Sequence, residues 1–233
     1  MNSNIQIKEV IYLRNVKEYA KFFLKKDIIE SPNTFDGNMK LQKLLFFANL
    51  INYSMHKKLL FKEDMLAFEN GTVIEEVRQK YKNEYYSFMN ESKQFVPNFT
   101  EQEYEVLDKT VSIFGKLSAK DLSNLNHEFD FWNVRFENST LNNGFHDKNL
   151  AKITKTDISK EIYKITSILD TYNQNFVNSD ETYEVINGIT FYYNPREISL
   201  ESILPQLETF SVLPDTTDDT YSIYLENGDL VIV

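Results

Sequence analysis

His127-Glu128 with Asp130, taken together with His56 and His146, contains the imidazoles and carboxylates from which a metal site is assembled. The spacing is wrong for one. A helical site of the H-E-x-x-H kind places two histidines on one face, one turn apart, whereas this chain has three histidines in all and no such pair. No metal is expected, and His127 reads as a local cap or hydrogen-bonding group. Cysteine is absent, which excludes disulfides, thiolate metal sites and cysteine nucleophiles. No serine or threonine stands in a glycine elbow, and no phosphate-cradling glycine loop occurs. Catalysis is left without a named residue. The expectation is a protein that is not an enzyme and carries no cofactor.

Two further residues stand out. Lys43 interrupts an apolar helical stretch, so it either faces water or is buried against a carboxylate such as Glu76. Trp132 is the only tryptophan. An exposed indole is a common interface anchor, while Phe131, Val134 and Phe136 around it favour burial.

The stretch that must position these groups is residues 38–77. Leu41, Leu44, Leu45, Ala48, Leu50 and Ile51 recur at helical steps, and Phe46 and Phe47 widen the apolar face, so the spacing predicts a central helix. Lys40, Gln42, Lys43, Asn49 and Asn52 fill the remaining positions. A short extended return then ends at Gly71, where glycine adopts a positive φ at little cost. Thr72 is placed to cap a second helix, about Val73–Phe88, whose first turn carries Glu75 and Glu76.

Before this core, a poorly periodic stretch at residues 1–13 suggests a short strand, and the helix period runs from Asn15 to about Asp27. After it, Thr100-Glu101-Gln102-Glu103 is a capping-box pattern opening a helix that ends at Gly115. Ser118 begins another, with Trp132 just beyond it and an Asn-rich loop at 138–149 following. A last helix is expected over about Asp157–Tyr172, then a linker at 173–181. The period changes to alternation beyond the linker. Asn187-Gly188 and Asn227-Gly228 each separate two alternating runs, the pattern of a two-residue hairpin. Between them ISLESILPQL predicts a short helix, capped by Ser199 and cut at Pro205. The reading is mainly α (α+β): a compact helical domain at 1–172 and a small antiparallel β-rich module at 182–233.

Charge divides at the same place. Residues 1–178 carry 24 acidic and 24 basic side chains, whereas residues 179–233 carry 11 acidic ones against Arg196 alone. A neutral body argues against nonspecific nucleic-acid binding, and an acidic tail suits a basic partner. The chain shows neither a secretory leader pattern nor a run of about 18 apolar residues, so a cytoplasmic protein away from membranes is expected.

K-L-Q-K-L-L-F-F-A at Lys40–Ala48, L-L-F-K-E-D at Leu59–Asp64, A-F-E-N-G-T-V at Ala67–Val73 and S-A-K-D-L-S-N-L-N-H-E-F-D-F-W at Ser118–Trp132 fall in the order of the Panacea domain. The region from about Asp36 to Glu137 resembles that family, also called SocA-like or phage-associated, which supplies antitoxins to unrelated toxins. Two positions depart from its pattern: G-P-V-x-P-E-V is here Gly71-Thr72-Val73-Ile74-Glu75-Glu76-Val77, without either proline, and T-H is here Asn126-His127. The resemblance implies an antitoxin of a toxin-antitoxin system that binds a co-encoded protein toxin, here one of basic character. Alternatives are an adaptor presenting a toxin to a cytoplasmic AAA+ protease and a phage-encoded acidic decoy of a host defence protein. The residues expected to bear on a partner are Lys43, Gly71, Thr72, Glu75, His127 and Trp132 in the helical part, with Tyr192, Asp218 and Asp219 in the acidic module.

Overall fold

The computed structural model describes residues 14–141, 144–177, 182–195, 197–213, 220–226 and 229–233. The chain divides into two compact units, Met1–Leu169 and Asp170–Val233. The expected strand at residues 1–13 lies outside the described residues.

In the first unit α1 (Val16–Lys25), α3 (Glu75–Asn83), α5 (Glu101–Phe114) and α6 (Ala119–His127) surround α2 (Phe35–His56). Thr34 opens α2 by accepting from Gly37 N, and Lys57 in the left-handed region closes it. With neighbours on every side, α2 has no wet edge from Lys40 to Tyr53. Leu41, Leu44, Leu45, Phe46, Ala48, Leu50 and Ile51 are fully buried, and so nearly are Lys40, Gln42, Lys43 and Asn49. The polar row survives burial because it serves backbone and charge partners, as buried polar groups must. Asn49 accepts from Leu60 N at 2.7 Å, Asn52 donates to Lys58 O at 2.7 Å, and Lys40 pairs with Glu30 at 3.1 Å.

After α2 the chain forms a hairpin of β1 (Met65–Phe68) and β2 (Gly71–Val73), with β3 (Lys152–Ile153) antiparallel on the other side of β1. Gly71 has φ +91°, the turn conformation expected of it. Thr72 is a strand residue rather than a helix cap: α3 starts at Glu75 after Ile74, without a side-chain cap. The expected second helix is two, α3 and α4 (Tyr85–Gln94), separated at Glu84, which bends the chain so that α4 packs on α1.

The capping box forms as read. Thr100 Oγ1 accepts from Glu103 N, and the Glu103 carboxylate accepts from Thr100 N. Glu103 also receives Arg14 at 3.0 Å and the Tyr19 hydroxyl at 2.6 Å, which ties α5 to α1. Trp132 does not lie beyond the helical run but inside a helix of its own, α7 (Asp130–Ser139). Glu161 of α8 (Lys155–Val177) supplies the cap that Phe129 lacks, accepting from Asp130 N and Phe131 N at 2.9 and 2.8 Å. A carboxylate there satisfies free amides and matches the helix dipole. Helix α8 continues through Val177, five residues past the expected end, and so takes up the first part of the expected linker.

The second unit is a four-stranded sheet in the order β4 (Thr182–Ile186), β5 (Ile189–Tyr193), β6 (Thr220–Glu226), β7 (Asp229–Ile232), with α9 (Leu200–Phe210) between β5 and β6 in sequence. Asn187 and Gly188 both have positive φ, 53° and 87°, as the two-residue turn requires. Asn227-Gly228 lies outside the described residues. β4–β5 and β6–β7 are antiparallel pairs, whereas β5 and β6 run parallel, so the sheet is mixed rather than purely antiparallel. The helical crossover supplies the length of chain that parallel neighbours need. Pro205 sits inside α9 instead of cutting it, and Ser199 makes no side-chain cap bond. Phe191, Tyr193 and Ile223 from the sheet and Ile203 and Leu207 from α9 form the core of this unit.

Candidate functional site

The site is assembled under the β1–β2 turn. Because Gly71 has no side chain, the Lys43 ammonium and the Asn126 amide approach its backbone. A Cβ on Gly71 would lie 2.5 Å from Asn126 Oδ1 and 2.9 Å from Lys43 Nζ. Lys43 Nζ donates to Thr72 O at 2.9 Å, and Thr72 N donates to Asn126 Oδ1. Gln42, the next polar residue on α2, accepts from Ile74 N at 2.7 Å and donates to Asn38. The turn is thus held by three amide or ammonium side chains from α2 and α6. Lys43 neither faces water nor meets Glu76, which pairs instead with Lys17. With Lys43 1% exposed, burial brings its pKa down from the usual lysine value to about 7.

A column of rings stands beside the turn. His127 stacks on Trp132 with centroids 3.9 Å apart, Trp132 on Phe136 at 5.2 Å, and Phe136 on His146 at 4.7 Å. Trp132 is 8% exposed and donates Nε1–H to Phe68 O at 3.1 Å, so it fastens α7 to β1 and is not an exposed anchor. Burial first, then the Lys43 and Lys120 charges, lower the His127 pKa, against a backbone hydrogen bond at Glu69 that favours the charged ring. Among the described residues no group of histidine and carboxylate side chains is arranged to hold a metal ion.

Beside Lys43 a cavity of about 650 Å³ opens between α2, the β1–β2 turn and α3. Phe35, Met39, Phe68 and Val73 give it apolar walls, while Arg78 and Lys82 bring positive charge. Glu75 binds Arg78 through two bonds of 2.8 Å and also Lys148 at 3.2 Å. The bonds from Arg78 hold the Glu75 carboxyl down at about 2 against the effect of burial, with help from Gln79 and Lys148.

Residues 41–133 match the family model of the antitoxin SocA-like Panacea domain. The matched segment runs from the start of the buried face of α2 to α7, so it contains Lys43, Gly71, Thr72, Asn126, His127 and Trp132. No curated protein and no solved structure matches the chain.

The structure brings together Lys43, Gly71 and Thr72, and beside them sets His127 and Trp132. Glu75 stands apart from Lys43, on α3 at the Arg78 pair. Tyr192 belongs to the other unit, 37% exposed, and Asp218 and Asp219 lie outside the described residues. Gln42 and Asn126 complete the set that holds the β1–β2 turn and were not among the residues expected to bear on a partner. Asn126 carried a signal, since it replaces the threonine of the family pattern; Gln42 had only its place among the polar positions of α2. Among the described residues, no helix is long and apolar enough to cross a membrane.

Proposed function

We propose that this protein is the antitoxin of a toxin-antitoxin pair and silences a co-encoded, basic toxin by binding it directly. The Panacea match at residues 41–133 carries this reading. It suggests an antitoxin-type role, which is non-enzymatic and needs a protein partner. Since Lys43, Gly71, Thr72 and Trp132 are buried, or in a strand that is, we assign them to shaping the turn and not to touching the toxin.

Support for a basic partner comes from the second unit. One face of its sheet packs on α9, and the other presents Tyr183, Val185, Tyr192 and Tyr224. Tyr183 and Tyr192 are cross-strand neighbours with rings 5.8 Å apart. Tyrosines on an open surface are the side chains that dominate interface energetics, and residues 179–233 carry 11 acidic side chains against Arg196 alone, so this segment is strongly negative. Such a field accelerates the approach of a cationic partner and makes association fall with salt.

The test is co-expression with the protein of the neighbouring reading frame. A stable complex on gel filtration, growth restored at constant toxin level, and an association rate that drops with ionic strength are the expected results. No complex and unrelieved toxicity would refute the proposal; growth restored through loss of the toxin in protease-competent cells alone would favour the adaptor.

A further inference from the structure

Lys43 is a buried amine with no counter-charge for its protonated form among the described residues. Three residues earlier Lys40 is equally buried and has Glu30. Lys43 takes part in no ion pair among the described residues, and its hydrogen bond to Thr72 O uses one of three ammonium protons. Buried charges are normally paired, because an unpaired one keeps most of its desolvation cost. The charged and titratable groups around it do not supply the lack. Glu69 of the β1–β2 turn lines the cavity but is exposed and pairs with no Lys43 proton, Arg78 and Lys82 of α3 and Lys120 of α6 are cationic, Tyr81 of α3 is a phenol, and His127 of α6 and His146 are imidazoles. Beneath the same turn Thr72 Oγ1 and Asn126 Nδ2 are buried without hydrogen-bond partners, so this corner has further polar capacity unused.

The cavity beside Lys43 is of the size that holds a small organic molecule. Its walls are apolar at Phe35, Met39, Phe68 and Val73, and its charge is net positive, Lys43, Arg78 and Lys82 standing against Glu69, with Arg78 also paired to Glu75. We propose that the cavity binds a small amphipathic organic anion, an apolar body bearing one carboxylate or phosphate, with Lys43 as its counter-ion. The anion completes the ion pair that the fold leaves open, and the apolar walls take the body. This site stands independently of the antitoxin reading, since no toxin enters its test.

Binding an anion favours the charged ammonium, so above neutral pH the complex takes up protons, up to about one per site. The experiment titrates cinnamate, phenyl phosphate and the neutral cinnamyl alcohol into the full chain at about pH 8. Binding is followed by calorimetry in HEPES and in Tris, and by the fluorescence of Trp132, whose indole is bonded to Phe68 of the cavity wall. At least one anion is expected to bind about tenfold or more tightly than the alcohol, with a heat that differs between the buffers by the protons taken up times the difference in the buffers' ionisation enthalpies. Lys43→Met should abolish that preference while retaining the far-UV spectrum. No binding by either anion, equal binding of the alcohol, or an unchanged preference in Lys43→Met overturns the proposal. Should the variant fail to fold, absence of proton uptake by the native chain overturns it alone.

Discussion

Lys43 Nζ donates to the Thr72 carbonyl oxygen at 2.9 Å, across the turn that Gly71 opens. The bond joins the central helix to the hairpin, and it places an amine where burial opposes its charge. The stability of the fold is therefore tied to pH at this residue.

In the folded chain Lys43 titrates at about 7, in the unfolded chain near 10.5. Between those values the unfolded state binds more protons, so stability rises with pH there, while below about 7 this group adds no further pH dependence and its cost to the fold is at its full value. The slope is at most about 1.4 kcal/mol per pH unit. Denaturant unfolding at steps from pH 7 to about 9.5 should show that rise in the native chain and a flat profile in Lys43→Met. Parallel profiles would contradict the burial argument.

Gly71→Ala meets two obstacles at once, a φ of +91° and a Cβ position 2.5 Å from Asn126 Oδ1 and 2.6 Å from Lys43 Cε. Strain and overpacking together should cost about 3 kcal/mol. Gly144→Ala, with φ +78° and nothing within 4 Å of its Cβ, should cost only about 1 kcal/mol. Chemical denaturation of the two variants measures the difference, which isolates the contribution of the Lys43–Asn126 approach.

Glu103 gathers Arg14, Tyr19 and the Thr100 amide. Burial pushes its carboxyl up, but the Tyr19 and Thr100 bonds and the Arg14 charge outweigh it and hold the pKa below the usual value. A lowered carboxyl stabilises the fold above its unfolded pKa, and the contribution is lost as pH falls through the folded one. Glu103→Gln should accordingly be less stable than the native chain at neutral pH, and the two acid-unfolding curves should converge below about pH 4.

If the open sheet face receives the toxin, the paired change Tyr183→Ala with Tyr192→Ala should weaken the complex at least about tenfold, mainly through faster dissociation. Asp218→Asn with Asp219→Asn should instead slow association and flatten its salt dependence. Surface plasmon resonance with the neighbouring-frame protein separates the two effects. Both tyrosines are exposed, so neither the thermal transition nor the circular dichroism of the double variant should move far.

The helix period of α2, the Thr100–Glu103 box, the positive φ at Gly71 and the Asn187-Gly188 turn were all legible in the sequence, because each is fixed within a few residues of chain. The fates of Lys43, Gln42 and Asn49 were not. Periodicity shows that α2 has polar positions, but whether they meet water depends on what packs there, and α1, α3, α5, α6 and β2 all pack on the helix. Trp132 was similarly undecided until α7 formed on the Glu161 cap and turned the indole toward Phe68. The two hairpins of the second unit were readable from alternation, while the parallel union of β5 and β6 depends on where α9 returns the chain. Local stereochemistry thus fixed the elements and their turns, and the contacts made between distant segments decided which polar groups were taken from water.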